Sequence, residues 1–387
     1  MTTEDDITTD ENVENPSPDA DQLPAEIPAE IPAEPAPEPL PERLHHFRWD
    51  LDKTYIRTDF DTRRELVMTF LQSAEEKRGI PGAATLLREL LRPSEDPTEH
   101  RKVTFISGSP RQMRKVLTEK LRIDGIEPDQ FILKPNLSNL LLFRFTAIRS
   151  QVGYKVEALL KSRLHGIQVE ETLFGDDAEQ DALVYGLYAD LIAGRVQMDE
   201  LEQILSQANA DRREAKRIME LAALLEPDPA TRVRRIFINL ERRSPVSRFD
   251  AFGSAVCPIY NYFQAAFVLL IDDQLGPDSA ARVLLDLLGE GYSTGRIANS
   301  LRNLIRRGIV TSEATGGALQ RLLPALEKEA ETKDVDLLSL LAILADVPDT
   351  RTLARPMSAE IDYPTACRDL RKYRRETIRF PILKLLE

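Results

Sequence analysis

Between Leu44 and about Gly194 the chain alternates short apolar runs with segments of helical periodicity. The runs "HHFRW", "KVTFIS" (Lys102–Ser107), "QFILK" (Gln130–Lys134) and "EETLFG" (Glu170–Gly175) predict strands. Segments between them, "AATLLRELL", "PRQMRKVLTEKL" and "YKVEALLKSRL", predict helices, the last with Val156, Leu159, Leu160 and Leu164 on one face. Strands alternating with helices imply an α/β fold, a Rossmann-like parallel sheet with flanking helices. Such sheets bind ligands outside the carboxyl ends of their strands.

Past Gly194 the strand signals fade. "RREAKRIMELAALLE", "SAARVLLDLLGEG", "GRIANSLRNLIRRG" and "VDLLSLLAILADV" read as helices broken by Gly and Pro, so residues 195–387 are expected to form a mainly helical second domain. Ahead of the α/β region (42–194), residues 1–41 repeat a Pro-Ala-Glu theme, "LPAEIPAEIPAEPAPEPLPE", expected to be a disordered, extended acidic tail.

Charge changes the picture little once the tail is set apart. The net charge of −13 comes almost wholly from residues 1–40, which hold 12 of the 64 acidic side chains and none of the 51 basic ones. The remainder is close to neutral and offers no general argument for nucleic acid. The basic stretches "RVRRIFINLERR" (Arg232–Arg243) and "RDLRKYRRETIRF" (Arg368–Phe380) read as solvated faces paired with nearby acids; a nucleic-acid-end phosphatase is the alternative they keep open. Cys257 and Cys367, and His45, His46, His100 and His165, lack ligand-like spacing. No secretory leader or membrane-spanning run is evident, and a cytoplasmic location is expected.

Chemistry gathers where the predicted strands end. "WDLDKT" supplies Asp50, Asp52 and Thr54; "FISGSP" supplies Ser107, Gly108 and Ser109 before Pro110; "GYKVEALL" supplies Lys155, with Lys161 as a rival; "LFGDDAEQD" supplies Asp176, Asp177 and Asp181. These are carboxylates for a nucleophile and a hard cation, hydroxyls, and one positive charge: the inventory of phosphoryl transfer. Asp50 is the candidate nucleophile. Asp52 can project to the same side of an extended segment, as the acid–base. Ser107 and Lys155 would stabilise the transferring group. In "SGSP", Ser109 is expected to cap a helix that Pro110 opens, aiming free amides at an anion. Thr54, Gly108 and Ser109 are the candidate phosphate-binding or loop-support positions. Asp50, Asp52, Asp176, Asp177 and Asp181 form the candidate Mg²⁺ set, with Asp50 and Asp176 as direct ligands and Asp177 or Asp181 beside them. Tyr260, Tyr262, Phe263 and Asp272-Asp273 read as core packing and a helix-end turn.

The set Asp-x-Asp-x-Thr, strand-Ser, Lys and Gly-Asp-x-x-x-x-Asp resembles the haloacid dehalogenase superfamily of phosphohydrolases. More narrowly, "WDLDKT", "FISGSPRQM" and "FGDDAEQDALVY", closing on Tyr185, look like the catalytic domain of the actin-patch phosphatidate phosphatases. The chain departs from that pattern at Lys53, Gly108 and Asp177. The resemblance, over residues 45–194, implies a Rossmann-like domain, Mg²⁺, an aspartyl-phosphate intermediate and a phosphorylated substrate, with phosphatidate as one such lipid. The intervals from Thr54 to Gly82 and from Pro110 to Lys155 are short, so a minimal cap and a bulky substrate are expected. A catalytically silent binding module is the other alternative. The helical region is a candidate cap, partner-binding surface or self-association surface.

Overall fold

The computed structural model describes residues 43–57, 72–93, 98–134, 143–164, 170–226, 232–254, 256–330, 336–350 and 360–368. The acidic tail, His165 and most of the basic stretch after Arg368 lie outside them.

Six parallel strands form one sheet in the order β3-β2-β1-β4-β5-β6. They are β1 (Arg43–Asp50), β2 (Glu99–Pro110), β3 (Gln130–Lys134), β4 (Glu170–Asp176), β5 (Val233–Asn239) and β6 (Val256–Ile259). The four predicted strands are all present. The sheet does not stop at Gly194, however: β5 and β6 arise from the stretch read as helical and continue it past β4. Most of "RVRRIFINLERR" is thus a strand rather than a solvated face, and its cations are paired, Arg234 with Glu170 at 2.7 Å and Arg235 with Asp272 at 2.7 Å.

Parallel strands must be covered on both faces. One face carries Phe47, Trp49, Phe105, Phe174 and Phe237. On it Trp49 stacks on Phe174 with centroids 4.0 Å apart, and Phe174 on Phe237 at 5.1 Å. On this side of the sheet lie α1 (Ala83–Leu90), α7 (Tyr262–Ile271), α8 (Pro277–Gly289), α9 (Thr294–Arg306), α10 (Ser312–Ala330) and α11 (Leu337–Ala345), all in one core. α2 (Arg114–Ile123) adds Leu117 and Leu121 to it. The opposite face is covered by α3 (Phe143–Leu164), α4 (Asp181–Ile192), α5 (Met198–Gln207) and α6 (Arg212–Ala222).

The helical segment after β6 therefore shares its core with the sheet, and the described residues form one compact unit. Its dominant helix shows why. In α7, "YFQAAFVLLI", every residue from Tyr262 to Leu270 is buried, so the helix has no face to offer solvent and lies between the sheet and the outer helices.

The chain runs β1-β2-β3 to one side, then returns to lay β4, β5 and β6 on the other. The strand order reverses between β1 and β4, which opens a crevice at their carboxyl ends. Register aligns Trp49 with Phe174, so Asp50 and Asp176 close adjacent strands at that crevice.

Candidate active site

Asp50 is fully buried at the end of β1. Its Oδ1 accepts from Lys155 Nζ at 2.8 Å, and its Oδ2 from the Thr54 hydroxyl at 3.1 Å. Lys155 reaches it from α3, and the same ammonium contacts Asp181 Oδ1 and Glu179 Oε2, each at 2.6 Å. The rival Lys161 is exposed and pairs with Glu157 at 2.6 Å. Asp181 opens α4, and its Oδ2 accepts from the Asp176 backbone amide at 3.1 Å. Gly175 allows this approach: a Cβ there would lie 2.5 Å from Asp181 Cβ.

After Asp50 the backbone turns tightly. The amides of Tyr55 and Ile56 both donate to Leu51 O, and Lys53 takes a left-handed φ of 61°. Lys53 O accepts from Asn239 Nδ2 at 3.1 Å, and Thr54 O accepts from the Tyr262 hydroxyl. β5 and α7 thus hold the loop that follows the first aspartate.

Asp52 lies in this loop. Its Oδ2 accepts from the Ser107 hydroxyl at 2.9 Å and the Ser109 hydroxyl at 2.8 Å. Here the expectation for Ser109 is corrected. Ser109 belongs to β2, Pro110 ends that strand, and the first helical turn (Arg111–Met113) has no side-chain cap. The Ser107-Gly108-Ser109 segment spans a register shift between β2 and β3, which turns both hydroxyls toward Asp52.

Asp177 is the second correction. Its two oxygens accept from the backbone amides of Arg242 at 2.8 Å and Ser244 at 2.9 Å, so it clamps the loop after β5 and does not join the acidic cluster. Asp52 does not join that cluster either, its Oδ2 being held by the two serines. Glu179, which the sequence reading missed, does. The cause is a turn: Asp176 Oδ1 accepts from the amides of Ala178 and Glu179, folding the chain back so that Glu179 faces the strand ends. Tyr185 donates to Phe174 O at 3.2 Å from within α4.

Asp50, Asp176, Glu179 and Asp181 can each offer an oxygen within 4.8 Å of the others. One ammonium faces four carboxylates. Burial pushes the Asp50 carboxyl well above its usual range; Lys155 opposes this, while Asp181, Glu179 and Asp176 add to it. Asp176 is raised by burial and by Asp181 and Glu179, and its Oδ2 is buried with no partner among the described residues. Burial works against the charge on Lys155, but Asp181, Asp50 and Glu179 outweigh it and raise its pKa. Burial and Glu179 likewise raise Asp52. An all-oxygen donor set with an orphaned buried carboxylate oxygen and a deficit of positive charge fits a hard divalent cation.

The other sequence candidates resolve simply. Tyr262 and Phe263 are core, whereas Tyr260 is exposed and not core as expected; Asp272 pairs with Arg235, and Asp273 with Arg321. Both cysteines are buried free thiols. No helix among the described residues is long and apolar enough to cross a membrane.

A carboxylate-rich cluster at the switch point of a parallel sheet, served by one lysine, is an arrangement suited to phosphohydrolase chemistry. Residues 49–198 match the family described as phosphatidate phosphatase APP1, catalytic domain, the family its motifs resemble. The match ends before β5, leaving Asn239 and Tyr262, which brace the Asp50 loop, beyond it. No curated protein and no solved structure matches the chain.

Proposed function

We infer that this protein is an Mg²⁺-dependent phosphohydrolase working through an aspartyl-phosphate, with phosphatidate, the substrate in the matched family's name, as the foremost candidate among bulky phosphomonoesters. The observation that carries this reading is the pairing at β1: Asp50 gripped by Lys155 and Thr54, with Asp52 two residues on held by two serine hydroxyls.

Asp50 is the nucleophile. One of its oxygens bonds to phosphorus as the bond from phosphorus to the leaving oxygen breaks. Asp52, raised by burial toward its protonated form, donates its proton to that leaving oxygen. It then accepts a proton from the water that cleaves the acyl-phosphate, releasing inorganic phosphate and restoring Asp50. Ser107 and Ser109 fix the Asp52 rotamer, and Lys155 holds Asp50 and offsets charge on the transferring group. Asp50, Asp176, Glu179 and Asp181 would hold Mg²⁺, which supplies the positive charge that lets the carboxylate and phosphate anions meet.

Phosphate release from para-nitrophenyl phosphate and from short-chain phosphatidate in neutral micelles tests the reading. Turnover requires Mg²⁺, stops with EDTA and is lost in Asp50→Asn. A well-folded wild-type protein releasing no phosphate from either substrate would refute it.

A further inference from the structure

We propose that Arg111, Arg114, Lys134 and Tyr154 form a second anion subsite, outside the carboxyl ends of β2 and β3, which takes a phosphate or phosphodiester group lying beside the one hydrolysed. This rests on the phosphohydrolase reading for its purpose, though not for its geometry.

Four elements converge there. Arg111 follows β2 directly, Arg114 opens α2, Lys134 closes β3 in register with Pro110, and Tyr154 precedes Lys155 in α3. Two of the cations are steadied by aromatic rings. The Lys134 ammonium lies 5.6 Å from the Tyr154 ring centroid. The Arg114 guanidinium lies 5.4 Å from that of Phe131 and donates to Phe131 O at 2.6 Å. Cations held this way lose little further freedom when an anion arrives.

The Tyr154 hydroxyl is shielded from solvent and has no hydrogen-bond partner among the described residues. A buried hydroxyl without a partner is costly, and an anion's oxygen would satisfy it. Burial raises this phenol, and Glu157 adds to that, while Lys155, Arg111 and Arg114 pull it back. Lys134 lies over the Tyr154 ring, and the next residue, Lys155, holds Asp50 at 2.8 Å and Glu179 at 2.6 Å. The subsite therefore borders the reaction centre.

Helix polarity adds a second line. The start of a helix favours acids and disfavours cations. α2 has no acid in its first turn, yet it begins Arg114-Lys115 and follows Arg111, all exposed. Charges placed against the local preference point to a use outside the helix. Arginine pairs with phosphate through two parallel N–H groups, and a tyrosine hydroxyl adds a directed donor, so a phosphate oxyanion is the ligand class.

That anion has two sources, a second phosphate on the substrate itself or the headgroup of a neighbouring lipid. The test compares wild type with Arg111→Ala and with Tyr154→Phe, which keeps the ring beneath Lys134. An alkyl bisphosphate is set against its monophosphate. Short-chain phosphatidate in neutral micelles is assayed with and without phosphatidylserine. Wild type is expected to favour the bisphosphate, or to respond to phosphatidylserine, by about tenfold in kcat/KM, and both variants to lose that preference. The first pattern assigns the anion to the substrate, the second to the lipid surface. Neither preference in wild type, or full retention in both variants, overturns the subsite. Calorimetric titration with methylene bisphosphonate runs in parallel. Affinity about tenfold weaker in the variants supports the subsite even for a protein that hydrolyses nothing, and equal affinity counts against it.

Discussion

On the face of the sheet covered by α3, charge is buried twice, once around Arg48 and once around Asp50. Arg48 Nη2 meets Glu171 Oε1 at 2.8 Å, its Nη1 donates to Ser162 at 2.9 Å, and Arg163 adds a second contact to Glu171 at 3.2 Å. Two guanidiniums serve one carboxylate. Burial works to raise Glu171, but Arg48, with its hydrogen bond, His46 and Arg163, wins and holds it at about 2. Two residues along β1, around Asp50, the balance is reversed: one ammonium serves four carboxylates, and burial leaves Asp50, Asp176 and Asp181 raised. Ser162 and Lys155 are seven residues apart on α3, about 10 Å along its axis. The scaffold and the solvation are alike, so the difference lies in composition. The lower cluster is completed by the chain's own cations and holds strand to helix. The upper one is left short of positive charge, as a site reserved for a cation and a phosphate would be.

Removing one acid from each cluster should separate them most widely. Asp50→Asn is expected to lower kcat by about 10³-fold or more. It should leave the urea midpoint unchanged or higher, because it relieves a crowded acidic site in which Lys155 keeps Asp181 and Glu179. Glu171→Gln should do the opposite, costing about 3–5 kcal/mol of stability by stranding buried guanidiniums, measured by urea unfolding.

Acid should dissect the lower cluster further. Glu171 is depressed, so its contribution is complete above 4.5 and is lost as pH falls toward about 2. His45 and His46 are buried as neutral rings, lowered chiefly by burial to about 4 and about 3. Their contribution is complete above 6.5 and declines as pH falls below it, because the unfolded chain takes up the proton first. The urea midpoint should therefore begin to fall near pH 6.5, and Glu171→Gln should remove the portion below 4.5 while deepening the histidine portion, since Glu171 favours the charged rings. Each group carries on the order of 3 kcal/mol across its window.

Gly175→Ala should disturb the upper cluster alone, since the new methyl would meet Asp181 at 2.5 Å. A cost of about 1–3 kcal/mol is expected, together with a lower kcat. Asp177→Ser should have the smallest effect on kcat, with a stability cost of about 1–3 kcal/mol from losing carboxylate acceptors for the Arg242 and Ser244 amides.

The contrast also shows what the sequence could reveal. β1 to β4 were legible because each carries a short apolar or aromatic run between helical segments, and "QFILK" coincides with β3. β5 was hidden by Arg234 and Arg235, whose partners Glu170 and Asp272 are distant in sequence. β6 has only four residues, one of them Pro258, too few for a period to show. At the strand ends, the residues brought to one place, Asp50, Lys155, Asp176 and Asp181, could be read because topology converts strand endings into neighbours. Asp177 and Glu179 could not be told apart that way. Which of them faces the crevice depends on the turn built by Asp176 Oδ1 and on two backbone amides more than sixty residues away.

Calorimetric titration of Mg²⁺ into wild type, Asp176→Asn and Glu171→Gln tests most directly whether the acidic excess is a cation site. One binding event is expected in wild type and in folded Glu171→Gln, and its loss in Asp176→Asn. Absence of binding in wild type, or equal affinity in Asp176→Asn, would contradict that claim.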